Sequence, residues 1–255
     1  MRCRVGRNAI AALMFLVSTG LMADTLQEIK SSGELEVCVN PFQPPFSVRM
    51  PEVGGMQIDL ARELASTLGV SLKISWIVQK RDARKTGCDL YTGVARLGDG
   101  ESKYLRITQP YLNLEFKLVM SADSDPVNGL ADLQQRHSVI GVNAGSVASH
   151  ALHHADIPIA VRFNDEQSRL QAVVDGKING AVVTNVTLGY FQQQGHQFKV
   201  YDAEALLNEK LNYAYAMGLR KADDATEARF NEMLKTLKQN GRLNTVLKPY
   251  GVSAL

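Results

Sequence analysis

GELEVCVNPFQPPFSVRMPEVGGMQIDLARELASTLGVSLKISW, residues 33–76, decides the fold. Its residues 35–39 form an apolar run of strand length, and Leu72, Ile74 and Trp76 alternate as a second strand. Between them Leu60, Ala61, Leu64, Ala65 and Leu68 fall on one stripe of a helix over residues 58–68, which Gly69 ends. Pro41, Pro44 and Pro45 stiffen the loop after the first strand, and that loop carries Phe42 and Phe46. Strand, helix and strand in this order predict a parallel sheet covered by helices.

Working outward, residues 26–32 read as a short helix closed by Gly33, and residues 89–94, after Cys88, as a further strand. A second α/β cycle follows. Strands are expected over 116–120, 138–143, 159–163, 180–184 and 198–201, with helices from about Ser146 and over 166–174. A strand-like run over 211–219 leads into helical segments 225–238 and 243–246. The fold class is therefore α/β with two lobes, each a mostly parallel sheet flanked by helices. Chain crossings near 111–115 and 211–215 act as hinge strands, with the cleft between the lobes. Residues 24–112 and 214–255 make lobe one, and residues 113–213 lobe two.

Residues 1–23 are set apart. Arg2, Arg4 and Arg7 precede an apolar-rich run over residues 9–17 and small Ala23, the pattern of an export signal. The run is too short to span a membrane, which takes about 20 residues. Of 28 basic residues these three lie in the signal; the remaining 25 against 26 acidic residues turn the formal +2 of the whole chain into −1. Charge thus gives no reason to invoke nucleic acid or an anionic membrane as partner. With 45% apolar and 21% charged residues, composition excludes disorder and low-complexity classes.

Export also bears on Cys38 and Cys88, which survive cleavage. Both sit at predicted strands, and neighbouring strands lie about 4.8 Å apart, inside the disulfide Cα range of about 4.4–6.8 Å. They are a candidate disulfide, the alternative being two buried free thiols. His150, His153 and His154 share helix spacing, but a metal site needs a third ligand, and a solvated helix face near Asp156 is the simpler reading. Trp76 alternates with core residues and reads as packing. There is no G-x-S-x-G elbow, H-E-x-x-H pair or phosphate loop. No cofactor, metal site or catalytic residue is assigned.

The segments GELEVCVNPFQPPFSV, GGMQIDLARELASTLGV, CDLYTGVARLGDGESKYLRITQPYL, GLADLQQRHSVIGVNAGSV and VVDGKINGAVVTN, with the C-terminal GLRKADDATEARFNEMLKTLKQNGRLNTVLKPYG, occur in an order that resembles family 3 extracellular solute-binding proteins. These are type II periplasmic binding proteins, two-lobed "Venus-flytraps" that mostly feed amino-acid ABC importers. The resemblance implies a periplasmic monomer that captures a small polar, amino-acid-like ligand and is not an enzyme. It also implies a site: an aromatic wall from Phe42 or Phe46, hydroxyl and backbone donors from Thr92, Gly93 and Val94, and a carboxylate contact at Gly145 and Ser146.

Two positions depart from the family's pattern. Where amino-acid binders carry an arginine, this chain has Glu101; Arg96 in the same loop, at a different place, reads either as a substitute cation or as an exposed loop charge. Where they carry an aspartate for the ligand's amino group, the chain has Thr184 and then Asn185, both neutral. Those replacements argue against a standard α-amino acid. A narrower likeness, at VCVNPFQPPFS and GCDLYTGV, is to solute-binding-like proteins associated with PQQ-dependent methanol dehydrogenases, which implies a periplasmic dehydrogenase as the alternative partner. Cyclohexadienyl dehydratases share the fold, which would make Glu101 or Asp99 an acid or base; loop charge is the simpler reading.

Overall fold

The structure, a computed structural model, describes residues 25–96 and 105–255. Residues 1–23, expected to be an export signal, lie outside the described residues, as do Asp99 and Glu101.

The chain opens with α1 (Thr25–Ser32), β1 (Glu34–Val39), the hairpin β2 (Phe42–Gln43) and β3 (Ser47–Val48), α2 (Met56–Leu68), β4 (Ser71–Trp76) and β5 (Leu90–Arg96). Then come β6 (Leu105–Ile107) and β7 (Leu112–Leu114), followed by β8 (Phe116–Ser121), α3 (Leu130–Gln135), β9 (Ile140–Gly141), α4 (Val147–His154) and β10 (Ile159–Ala160). The remainder is α5 (Glu166–Val174), β11 (Gly180–Thr184), α6 (Asn185–Gln193), β12 (Phe198–Asp202), α7 (Ala203–Leu207), β13 (Tyr213–Arg220), α8 (Asp224–Gln239) and α9 (Arg242–Leu247). Besides the two-stranded β2-β3 hairpin, the described residues form two larger sheets, in the orders β4-β1-β5-β13-β6, with β7 also on β13, and β10-β9-β11-β8-β12. The expected parallel register holds in β4-β1-β5 and in β10-β9-β11. Strands β13, β8 and β12 run antiparallel to their neighbours.

Local chemistry explains the elements. Helix α2 buries Met56, Gln57, Ile58, Leu60, Ala61, Leu64 and Ala65, and it starts two residues before the predicted helix. It ends at Gly69, whose left-handed φ of 72° suits glycine alone without cost. Helix α5 starts where the Asp165 side chain accepts the Ser168 N–H at 2.7 Å. The α2 stripe packs with α8 and α9 residues into the first lobe's core, where Leu60, Leu64, Phe230 and Leu237 are fully buried. Each such side chain contributes about 1.5–3 kcal/mol on leaving water. Separate apolar clusters lie under α4 and α7 and under α5 and α6 in the second lobe.

The chain leaves the first sheet after β7, and Glu115 alone separates it from β8 in the second. It returns at β13, whose Tyr213, Ala214 and Tyr215 pair with Leu114, Asn113 and Leu112. Side chains brace both crossings: Asn212 Oδ1 accepts the Phe116 N–H at 2.7 Å, and Asn185 Nδ2 donates to the Asn113 carbonyl at 3.0 Å. Cys38 and Cys88 are joined as a disulfide with Cα atoms 5.6 Å apart, which decides the question their spacing left open.

Candidate ligand-binding cleft

A cavity of about 240 Å³ lies between the two sheets. The first lobe contributes Gln43, Pro44 and Phe46 from the hairpin, the second Asn143, Asn164, Asp165, Glu166 and Thr184, and the crossing strands Leu114, Phe116, Tyr213 and Tyr215. Its walls are aromatic. The Phe46 ring meets Tyr215 edge-on at 6.2 Å, Tyr213 lies 6.4 Å from Tyr215, and Phe116 lies 6.0 Å from Tyr213. Tyr213 and Tyr215 face the same way because strand side chains repeat every second residue.

Glu166 supplies the fixed charge. It opens α5, and its Oε2 accepts the Thr184 N–H at 2.9 Å, the Thr184 hydroxyl at 2.6 Å and the Thr187 hydroxyl at 2.6 Å. Its Oε1 receives no hydrogen bond from any described residue, which leaves an acceptor for a ligand. Tyr215 is similarly poised. Its hydroxyl accepts from Gln57 Nε2 at 2.6 Å, so its own proton is free to be donated, and burial pushes the phenol well above its ordinary pKa. Tyr215 therefore stays a neutral donor at any physiological pH.

A second cavity, of about 150 Å³, adjoins the first and shares Phe116, Asn143 and Tyr213 with it. Its wall includes Ser146 and Val147 at the start of α4, together with Arg169, Lys210 and Leu211. A larger cavity of about 720 Å³ lies among Asn113, Glu115, α9 and the C-terminal residues, where the Asn185 side chain is already engaged with backbone.

The sequence-predicted site residues separate into groups. Phe46 and Thr184 line the first cavity, while Phe42 points to solvent at 67% exposure. Ser146 lines the second cavity and caps α4, accepting the Ser149 N–H and donating to the Asn143 carbonyl at 2.8 Å. Gly145 precedes it at φ 70°, in open space. Thr92, Gly93 and Val94 lie on β5 and line neither cavity. Gly93 passes directly beneath Tyr215, where a Cβ would come within 2.7 Å of Gln57 Nε2 as well as overlapping the phenol. Arg96 ends β5 and donates to the Thr108 carbonyl at 3.0 Å, and Asn185 holds the crossing. Trp76 lies on β4, outside both cavities. His150, His153 and His154 are exposed on α4, and no three potential metal ligands converge among the described residues.

Sequence reasoning did not single out Glu166, Tyr213, Tyr215 or Arg169. The tyrosines were detectable as an aromatic pair on one face of a strand at a chain crossing. An acidic residue directly after the Asp165 cap was the one available sign of Glu166.

The architecture recurs in known proteins. The L-arginine-binding protein of Pseudomonas aeruginosa is 22% identical over 250 residues, covering 93% of this chain and 95% of that protein. An ancestral cationic amino-acid solute-binding protein superposes with a TM-score of 0.74 at 21% identity, covering 89% of this chain and 100% of that one. The putative binding component of an ABC transporter from Wolinella succinogenes, solved in complex with lysine, gives 0.66 at 20% identity over 87% of this chain and 97% of its own. At these identities the solved structures speak for the two-lobed fold alone. The family model of bacterial extracellular solute-binding proteins, family 3, matches residues 35–253, nearly all of the described chain, and with the cleft between two α/β lobes this places the protein in that family.

Proposed function

We propose that the protein captures a small amino-acid-like cation between its lobes and presents it to an ABC importer. The observation that carries this reading is Glu166, a carboxylate locked by Thr184 and Thr187 with its second oxygen open, at a cavity walled by Phe46, Phe116, Tyr213 and Tyr215. Aromatic faces attract cations by about 0.5–2 kcal/mol each, and a fixed carboxylate adds a charge-assisted hydrogen bond. The charge that Thr184 and Asn185 lack thus comes from a neighbouring helix, so the objection to an ammonium-bearing ligand loses its force. Relatives named for arginine and for lysine support the same chemistry.

In this reading lobe one is residues 24–112 with 214–255, and lobe two is residues 113–213. Ligand bound to Glu166 on one lobe and Phe46 on the other favours the closed state through its differential affinity. The protein works as a periplasmic monomer exported by residues 1–23, and it is a binder rather than an enzyme. The test is isothermal titration with L-arginine, L-lysine and L-glutamate. The two cations are expected to bind, and at a hundredfold excess over Kd to stabilise the fold by about 2.7 kcal/mol. Binding of L-glutamate alone would sink the reading.

A further inference from the structure

The near-neutral total charge of residues 24–255 hides an uneven distribution. The loops after β1 and β4, residues 40–55 and 77–87, leave the same end of the first sheet, because those strands pair in parallel as far as Val39 and Trp76. Contacts keep the two loops together beyond it. The Ile77 N–H donates to the Val39 carbonyl at 2.9 Å, and Cys38, Ile77, Ala83 and Cys88 form one buried cluster. In the first loop the Arg49 N–H donates to the Pro41 carbonyl at 3.2 Å and Val48 bridges Gly54, so residues 49–53 are held beside the hairpin. The two loops hold five basic residues against two acidic ones, Glu52 and Asp82. Asp82 is engaged locally, accepting the Gln79 N–H at 3.1 Å. Arg49, Arg81, Arg84 and Lys85 are exposed, and none forms an ion pair with a described residue. Large apolar side chains stand among these cations: Phe42 is 67% exposed, Met50 73%, Val78 60% and Val53 41%. The other large apolar side chains exposed among the described residues, Val147, Val161, Val174, Val200 and Leu255, each belong to a different segment. Single exposed apolar residues need no explanation, whereas a group of four does.

We propose that this end of the first sheet is a docking surface for an anionic lipid bilayer, with Phe42, Met50, Val53 and Val78 entering the headgroup region while Arg49, Arg81, Arg84 and Lys85 meet lipid phosphates. The shape and the charge both favour a bilayer as occupant. The four apolar side chains stand out from loops and line neither cleft cavity, which suits a deformable surface, and the unpaired cations around them suit a negative one. Each Lys or Arg brought to an anionic leaflet raises partitioning about fivefold. Gln43, Pro44 and Phe46 of the same hairpin line the first cavity, so a docked protein holds its cleft close to the membrane surface. The proposal goes beyond the ligand reading above and holds whichever ligand the cleft takes.

The experiment is vesicle flotation of the protein purified from the periplasm, so that the apolar run of residues 9–17 does not contribute. Vesicles of phosphatidylcholine alone are compared with vesicles of phosphatidylcholine and phosphatidylglycerol in equal parts. At low salt the protein is expected to partition onto the anionic vesicles at least about tenfold more than onto the neutral ones, and raised salt should release it. Arg84→Glu with Lys85→Glu should cut that partitioning at least about tenfold. Phe42→Ser with Met50→Ser should cut it comparably, because apolar burial is lost with the charges intact. All four side chains are exposed, so these variants do not depend on a repacked core. Lys235→Glu with Lys238→Glu on α8 makes the same change in net charge on another element and should leave partitioning within about twofold. An equal loss in that control would reduce the effect to overall charge and overturn the docking surface. Anionic binding that Phe42→Ser with Met50→Ser leaves intact would overturn it as well. No flotation with anionic vesicles at low salt would overturn the bilayer as occupant and leave the patch to a protein partner with an acidic face.

Discussion

The Glu166 carboxylate accepts both the backbone N–H and the hydroxyl of Thr184, at 2.9 and 2.6 Å, so the first residue of α5 and the last of β11 form one unit at the mouth of the cleft. Thr184 is buried and neutral, yet it fixes the position of a charge eighteen residues away in sequence.

Glu166→Gln is therefore expected to weaken binding of L-lysine at least about tenfold, roughly 1.4 kcal/mol. Thr184→Val should weaken it less, because Thr187 and the residue-184 N–H still hold the carboxylate. The two changes should be non-additive in a double-mutant cycle, since the valine matters only while the charge is present. Strict additivity in titration calorimetry would show that Glu166 does not meet the ligand.

Stability should depend on the bridge between β1 and the loop before β5. Cys38–Cys88 closes a separation of 50 residues, for which the chain-entropy model gives about 4 kcal/mol. The double variant Cys38→Ser, Cys88→Ser leaves the cavity walls untouched, so its urea midpoint should fall markedly while ligand affinity at low temperature is retained. Arg220, which donates to the Cys88 carbonyl at 2.7 Å, continues to anchor that loop in the variant. Equal urea midpoints for the native and double-variant proteins would refute the entropic assignment.

Acid should destabilise the fold through capping aspartates. Asp202 accepts the Ala205 N–H at 2.8 Å and pairs with Lys117 at 3.0 Å, and these two contacts hold its carboxyl below the usual range. The Thr226 hydrogen bonds do the same for Asp223 at the start of α8. A carboxyl with a depressed folded-state pKa stabilises fully above its unfolded value near 3.9 and loses that contribution as pH falls through the folded value. Asp89 works the other way, because burial pushes it up and its ionisation weakens the fold as pH rises past the same unfolded value. The urea midpoint should thus drop below about pH 4, and Asp202→Asn should flatten that acid limb while lowering the midpoint at neutral pH. An acid limb unchanged by Asp202→Asn would assign it to other groups.

The α/β alternation was legible because burial imposes it. Helices such as Glu166–Val174 are periodic enough, and fully buried strands such as Gly180–Thr184 continuous enough, to read to the residue. Periodicity carries no direction, so the antiparallel β8, β12 and β13 were not apparent. Helix α6 escaped because Val186, Thr187, Gly189, Tyr190 and Phe191 are weak helix formers. It forms through burial of Val186, Thr187, Leu188, Gly189 and Phe191 against the second sheet and the C-terminal turn. The site was half legible for a related reason. Phe46 and Thr184 sit where a loop and a strand end announce themselves, whereas Glu166 and Arg169 matter only through partners that folding brings to them from distant segments.

Gly189 in α6 meets the turn after α9 backbone to backbone, and the consequence can be measured. A Cβ there would overlap the Tyr250 carbonyl oxygen and lie 2.8 Å from Gly251 Cα. Alongside, Tyr190 stacks on Tyr250 with centroids 6.1 Å apart, and the Tyr250 hydroxyl donates to Asp59 on α2 at 2.7 Å. This seam ties the second lobe to the first, and none of its residues lines the candidate cleft. Gly189→Ala should therefore cost about 1–3 kcal/mol by overpacking. At about 2–4 °C per kcal/mol for a chain of this size, the melting temperature falls by several degrees. Gly129→Ala, with nothing within 4 Å and an extended φ of −175°, serves as the neutral control. Affinity for L-lysine should change far less than in Glu166→Gln, because the seam touches neither Glu166 nor the aromatic walls. A loss of affinity as large as that of Glu166→Gln, at an unchanged melting temperature, would mean instead that the seam sets the open–closed equilibrium and that lobe closure dominates binding.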